Sequence, residues 1–200
     1  MSRKPLTAEA EGKLRQLYRL LMSLSDFKQA SLIASYILAN KLHDREDHEW
    51  GRIQHEALNC AMIIAYCRPF SGSDPKKIPA LSDGFLRILN EHEKEIHKIV
   101  MHDRNGVLAH SDSSAWDLQP EVWNIKGHKL LVPWCNDTSA PLTRGATKTL
   151  YRICRKLMQE LIKKRINLET ELMESFDTIT FSDQELEKLH KEVYDKKISR

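Results

Sequence analysis

Apolar residues return every three or four positions along most of this chain, and the pattern breaks in only a few places. After Thr7, a residue suited to capping, the spacing predicts a helix over about 8–22. Ser25-Asp26 restarts the pattern, and Phe27, Ala30, Ile33, Ala34, Ile37 and Leu38 mark one face of a second helix ending near Leu42. A polar link, His43-Asp44-Arg45-Glu46-Asp47, leads to a third helix over about 47–67. Its inner stripe is read as Trp50, Ile53, Ala57, Ala61 and Ile64. Two prolines and a glycine make residues 68–75 a loop. Ser82-Asp83 opens a fourth helix with Phe85, Leu89, His92, Ile96 and Ile99 inward, weakening at Asn105-Gly106 just past Arg104.

Between Trp116 and Pro141 the period shortens. Val122, Trp123, Ile125 and then Leu130, Leu131, Val132 flank Lys126-Gly127-His128, which reads as a hairpin. Pro133 and Pro141 keep it from being the centre of a sheet. Trp116, Trp123 and Trp134 of this region are expected to pack into the core. A last strong helix covers about 143–175, with Ala146, Leu150, Ile153, Leu157 and Leu161 inward. Ser182-Asp183-Gln184-Glu185 has the form of a capping box for a short charged helix to about Tyr194. The fold class is therefore mainly α, an up-down helical bundle with a small β-hairpin insertion near residues 120–135. Residues 1–175 form the helical domain, and 176–200 a charged C-terminal tail or short helix.

Charge changes the picture through its placement. The net charge is only +3, but residues 141–167 hold eight Lys or Arg against one acidic residue, and residues 168–200 hold nine Asp or Glu against five Lys or Arg. A basic segment followed by an acidic tail suits anion binding shielded by the tail, and equally suits two solvated helix faces. Arg144, Lys148, Arg152, Arg155 and Lys163 form a rough basic stripe on the last helix. Hydrophobic content of 41% excludes global disorder. Cys60, Cys67, Cys135 and Cys154 make no C-x-x-C pair, no secretory pattern opens the chain and no apolar run is long enough to span a bilayer. A cytoplasmic protein with no membrane partner is expected.

Common catalytic signatures are missing: there is no Walker loop, no G-x-G-x-x-G and no G-x-S-x-G. His92 and His97, and again His97 and His102, stand five apart, where ligands on one helix diverge, so no metal or other cofactor is expected. What remains is Arg104-Asn105-Gly106-Val107-Leu108-Ala109-His110. A guanidinium offers a fixed charge and a planar fork of donors to phosphate oxygens. An imidazole moves protons near neutral pH. Metal-free RNA cleavage needs a base for the ribose 2′-hydroxyl, an acid for the leaving oxygen and a cation for the phosphorane. In that role Asn105 would fix the arginine or the substrate, and Asp112 would orient His110. By spacing alone the string also suits a capped helix end with a surface salt bridge.

The stretch His97-Lys98-Ile99-Val100-Met101-His102-Asp103-Arg104-Asn105-Gly106-Val107-Leu108-Ala109-His110-Ser111-Asp112 resembles the signature of HEPN domains, especially the abortive-infection AbiU-like group. Ala65-Tyr66-Cys67-Arg68-Pro69-Phe70-Ser71 adds to the likeness, which covers about residues 25–165 in helix order. The resemblance implies a HEPN-like bundle of four or five helices, usually a homodimer with the motif helices face to face. It also implies metal-independent endoribonuclease activity on single-stranded RNA in toxin–antitoxin, phage-defence or RNA-processing systems. Arg104, Asn105 and His110 take the motif positions, and Arg144, Lys148, Arg152 and Arg155 would guide the RNA backbone. Pairing two protomers would supply two proton-transfer groups. An antitoxin or regulatory protein is a further implied partner. Some toxin members carry a modifiable tyrosine two residues after the histidine; Asp112 stands there in this chain. Two other functions compete with this one. The first is a non-catalytic HEPN-like module binding nucleotide, RNA or a protein. The second is a helical adaptor that contacts partners through its C-terminal segments.

Overall fold

A computed structural model describes residues 7–45, 48–71, 78–104, 116–137 and 141–176. The molecule is mainly helical, with one small antiparallel hairpin. Thr7 caps α1 (Ala8–Ala39), its hydroxyl accepting from the Ala10 N–H at 3.2 Å. α1 runs unbroken where two helices are expected from the sequence. Ser25-Asp26 has the chemistry of a cap, yet Leu20, Ser23, Phe27, Ala30, Ala34 and Ile37 hold steps of three and four straight past it. Packing along that whole face outweighs a local capping preference.

α2 (Glu49–Cys67) turns a different face inward from the expected one. His55, Asn59, Met62, Ile63 and Tyr66 are buried, whereas Trp50, Ile53, Ala57 and Ile64 are exposed and Ala61 is half-buried. α2 carries two stripes at helical spacing, and periodicity alone does not say which one meets the bundle. Gly51 sits where any Cβ would collide with the Arg45 carbonyl oxygen, so its bareness lets the first turn of α2 close on the preceding link.

Ser82 is a cap, its hydroxyl accepting from the Gly84 N–H at 3.1 Å, but of a 3-10 segment, Asp83–Ile88. The α-helix starts later. Asn90 Oδ1 accepts from the Glu93 N–H at 2.9 Å, and Glu93 Oε2 accepts from the Asn90 N–H at 3.0 Å. That reciprocal box sets the register of α3 (Glu91–Asp103) and turns Glu93, Ile96 and Val100 inward. Of the expected inner positions, Leu89 and Ile96 are buried and Phe85 is half-buried, while His92 and Ile99 are exposed. Buried Arg19 of α1 donates to the carbonyl oxygens of Pro79 and Ile78 and so ties down the segment ahead of the 3-10 turn.

The hairpin pairs β1 (Trp116–Ile125) with β2 (His128–Asp137), Val122 opposite Leu131 and Trp123 opposite Leu130. Lys126 and Gly127 both have positive φ, 53° and 86°, which is the requirement of a two-residue turn matching strand twist. The strands are longer than expected, and their main contacts are with each other. Val122, Trp123, Ile125, Leu130 and Leu131 are all exposed. The expectation that Trp123 packs into the core is therefore wrong: its indole N–H donates to Glu121 at 2.9 Å on the surface. The side chains of Trp116 and Trp134 lie outside the described residues.

α4 (Arg144–Met173) is capped by Thr143 and buries Leu150, Ile153, Leu157 and Leu161, with Ala146 half-buried, much as expected. Pairs near both ends, Lys13 with Glu171 at 3.2 Å and Arg144 with Asp44 at 3.7 Å, show α1 and α4 running antiparallel. α1 packs along α4 and α2, and α3 packs on α2 and α4. No helix among the described residues is long and apolar enough to cross a membrane. The expected helix near 182–194 lies outside the described residues.

Candidate functional site

Arg104 follows the last turn of α3 in helical conformation, its backbone N–H bonded to the Val100 carbonyl. It is half-buried. His97, Val100 and Arg104 stand three and four positions apart and so share one side of α3. That side meets the end of α2. The Tyr66 hydroxyl lies 2.8 Å from His97 Nδ1, and the Cys67 thiol donates to the Val100 carbonyl at 3.6 Å. Phe70 sets its ring edge-on to His97, with centroids 4.8 Å apart. Residues 65–71 and residues 97–104, the described part of the stretch 97–112, are thereby packed on each other.

Burial at this junction sets its acid–base character. Burial pushes the Cys67 thiol up to about 12, against the pull of the nearby Arg104 charge. Burial likewise raises the Tyr66 hydroxyl well above the usual phenol value, so it stays protonated. Burial lowers His97, only partly offset by Asp83, so the ring is neutral at pH 7. Asp103 is raised by burial, with His102 opposing the shift. On the α1 side, Arg68 reaches Asp26 at 3.4 Å and Gln29 at 3.2 Å.

Asn105, His110 and Asp112 lie outside the described residues, so Arg104 is the one member of the expected catalytic set whose surroundings are described. Arg144, Lys148, Arg152 and Arg155 are all exposed on α4. Arg144 is spent in part on Asp44, and Arg152 donates to Thr149 Oγ1 at 3.1 Å. Lys148 and Arg155 form no ion pair among the described residues. Arg152 also bears on Glu93, in the first turn of α3, whereas Arg104 is at the other end. About 16 Å of helix rise separates them. Arg152 and the motif arginine therefore lie toward opposite ends of α3.

Sequence reading missed the His97–Tyr66 pair because it placed His92, not His97, on the inner face. The signal was present: Asn90 and Glu93 at capping-box spacing set the register from which His97 follows one turn later. Glu93 itself is buried. Burial pushes its carboxyl up, but the Lys156 ammonium at 2.8 Å and the Asn90 N–H outweigh this, and the net shift is downward. Among the described residues no group of three His, Cys, Asp or Glu side chains is placed to hold a metal. No family model, no curated protein and no solved structure matches the chain.

Proposed function

We propose that the chain is a metal-independent endoribonuclease of the HEPN type, a component of a phage-defence or toxin–antitoxin system. The observation that supports it best is the junction of α2 and α3, where residues 65–71 of the resemblance pack on residues 97–104, the described part of its second stretch, with Arg104 half-buried at the end of α3. In this reading Arg104 holds a phosphodiester of single-stranded RNA and offsets charge on the phosphorane. His110 takes the proton of the 2′-hydroxyl as the 2′-oxygen attacks phosphorus, and the protonated His110 of a second copy gives its proton to the leaving 5′-oxygen. The products are a 2′,3′-cyclic phosphate and a 5′-hydroxyl. Asn105 and Asp112 orient the arginine and the histidine, and Lys148 and Arg155 offer charge to the backbone beyond the cut. RNA, a second copy of the chain and an antitoxin or regulatory protein are its partners, and a membrane is not.

The test is cleavage of a cellular RNA pool by the wild-type chain and by Arg104→Ala and His110→Ala. The reading expects each substitution to lower the rate at least about 100-fold, the scale of a lost proton-transfer or charge-stabilising group. Absence of cleavage by the wild type, or full activity in His110→Ala, overturns it. Asp112, standing where some toxin members have tyrosine, favours a second reading: a non-catalytic module that binds nucleotide, RNA or a protein. Binding of RNA that survives loss of both Arg104 and His110, without cleavage, selects that alternative.

A further inference from the structure

Arg104 stands where a helix is least well held. Residues 100–103 are the last turn of α3, and the last turn of a helix is the first to fray. Where Arg104 sits therefore depends on what this end leans on, which is the end of α2. Two neighbouring residues of α2 make the contacts. The Tyr66 hydroxyl lies 2.8 Å from His97 Nδ1, and Phe70 sets its ring against both, with centroids 5.7 Å from Tyr66 and 4.8 Å from His97. One turn further on, the Cys67 thiol donates to the Val100 carbonyl at 3.6 Å. Tyr66, Cys67 and Val100 are fully buried, so solvent does not stand in for either contact.

The Val100 carbonyl is the pivot. A carbonyl oxygen has two lone pairs. This one accepts the backbone N–H of Arg104 from within the helix and the Cys67 S–H from α2. One oxygen thus ties the main chain of Arg104 to the neighbouring helix. His97, Val100 and Arg104 are three and four residues apart, so both contacts and the arginine stack on one side of α3. The Arg104 charge is felt at the Cys67 sulfur. Burial keeps that thiol protonated, so it serves as a donor and brings no negative charge to compete with a phosphate for the arginine.

We propose that Tyr66 and Cys67 are positioning residues for Arg104: they hold the last turn of α3 against α2 and so fix where the guanidinium meets a phosphate. That Arg104 meets a phosphate rests on the ribonuclease reading; how Arg104 is held does not. Both residues are buried and act through Arg104, not on RNA. Stabilising charge in a transition state is sensitive to placement, and a displacement of about 1 Å can cost on the order of 100-fold in rate. Binding of RNA draws on several phosphate contacts and is less sensitive to any one of them.

Cleavage kinetics and amide hydrogen exchange on the full chain test this together. Tyr66→Phe and Cys67→Ala should each lower kcat at least about tenfold and leave KM within about threefold. Cys67→Ser, which keeps a donor, should recover most of the loss in Cys67→Ala. In an Arg104→Ala background Tyr66→Phe should cost nothing further, because the residue it positions is gone. Ile37→Val is the control for lost packing: Ile37 is fully buried and ten residues, or about 15 Å of helix, from Phe27, whose ring meets Tyr66. It should leave kcat at the wild-type value. Wild-type kcat in both Tyr66→Phe and Cys67→Ala overturns the proposal. So does a Tyr66→Phe loss of the same size without Arg104, or an equal loss in Ile37→Val. Exchange of the Arg104 backbone amide needs neither RNA nor cleavage. It should quicken at least about tenfold in Tyr66→Phe and Cys67→Ala, beyond any change at the Leu157 amide in the core of α4. Unchanged exchange overturns the proposal even where the wild type cleaves RNA. Faster exchange in a chain that cleaves nothing sinks the ribonuclease reading and leaves the positioning of Arg104 standing.

Discussion

The helical body and the hairpin hold side chains of the same kind in opposite circumstances. Leu150, Ile153, Leu157 and Leu161 of α4 are fully buried. Val122, Leu130 and Leu131 of the hairpin are half exposed or more, Leu131 at 69%. Both segments carry a regular apolar pattern in the sequence. The difference shows that a pattern fixes the type of element, whereas burial depends on what the rest of the chain brings to that face. A helix thirty residues long finds α1 along its length and α3 over part of it, while two ten-residue strands find chiefly each other. A lone two-stranded ribbon is marginal in water, and the described turn half, residues 121–132, draws little stability from burial.

Three substitutions or conditions sharpen that contrast. The largest effect belongs to the body. Leu157→Ala removes a fully buried side chain at the centre of α4 and should cost about 2–5 kcal/mol, read by urea denaturation. A loss below about 1 kcal/mol would mean that α4 is not the spine of the core.

An intermediate effect belongs to the junction of α2 and α3. Burial lowers His97 below its ordinary value, so the unfolded chain binds the extra proton first as the solution is acidified. Stability from the neutral ring is therefore complete above about pH 6.5 and is lost as pH falls below it toward the folded value. Burial, with repulsion from His55, lowers His43 in the same sense. Unfolding midpoints at pH 7.5 and 5.5 should differ, and His97→Asn should shrink that difference. An unchanged difference would leave the acid sensitivity to His43.

The smallest effect belongs to the hairpin. Leu131→Ser changes an exposed side chain and should shift stability by less than about 0.5 kcal/mol. A loss comparable to that of Leu157→Ala would show the hairpin to be packed against the body after all.

The sequence was most legible where one signal had no competitor. α4 has a Thr143 cap and a single apolar stripe, and its observed start and inner face follow from them. The hairpin declared itself through Lys126-Gly127, because positive φ at both positions leaves few other turns open. Legibility failed where two signals competed. Ser25-Asp26 offers a cap inside a stripe that continues, and long-range packing overrode it. Ser82-Asp83 and Asn90 each begin a helical segment, and only the reciprocal bond with Glu93 marks the α-helix. α2 presents two apolar faces, and the bulkier one, with Trp50, faces outward because His55, Asn59 and Tyr66 have partners inside the fold. Asn59 accepts from the Leu142 N–H at 3.1 Å, and Tyr66 meets His97. Polar side chains with distant partners cannot be assigned to an interior from their own segment. The candidate site was legible at Arg104 for the same reason that it was incomplete: the string names residue types at a spacing, while the neutral His97 and the Tyr66 hydroxyl beside it depend on a contact between two helices.

The chemistry of the cut ends tests the central claim most directly. RNA incubated with the wild-type chain in excess EDTA, then resolved by mass spectrometry, should yield fragments ending in 2′,3′-cyclic phosphate and beginning with 5′-hydroxyl. Fragments with 3′-hydroxyl and 5′-phosphate ends, or RNA left whole, would contradict an attack by the neighbouring ribose oxygen at a site built on Arg104 and His110.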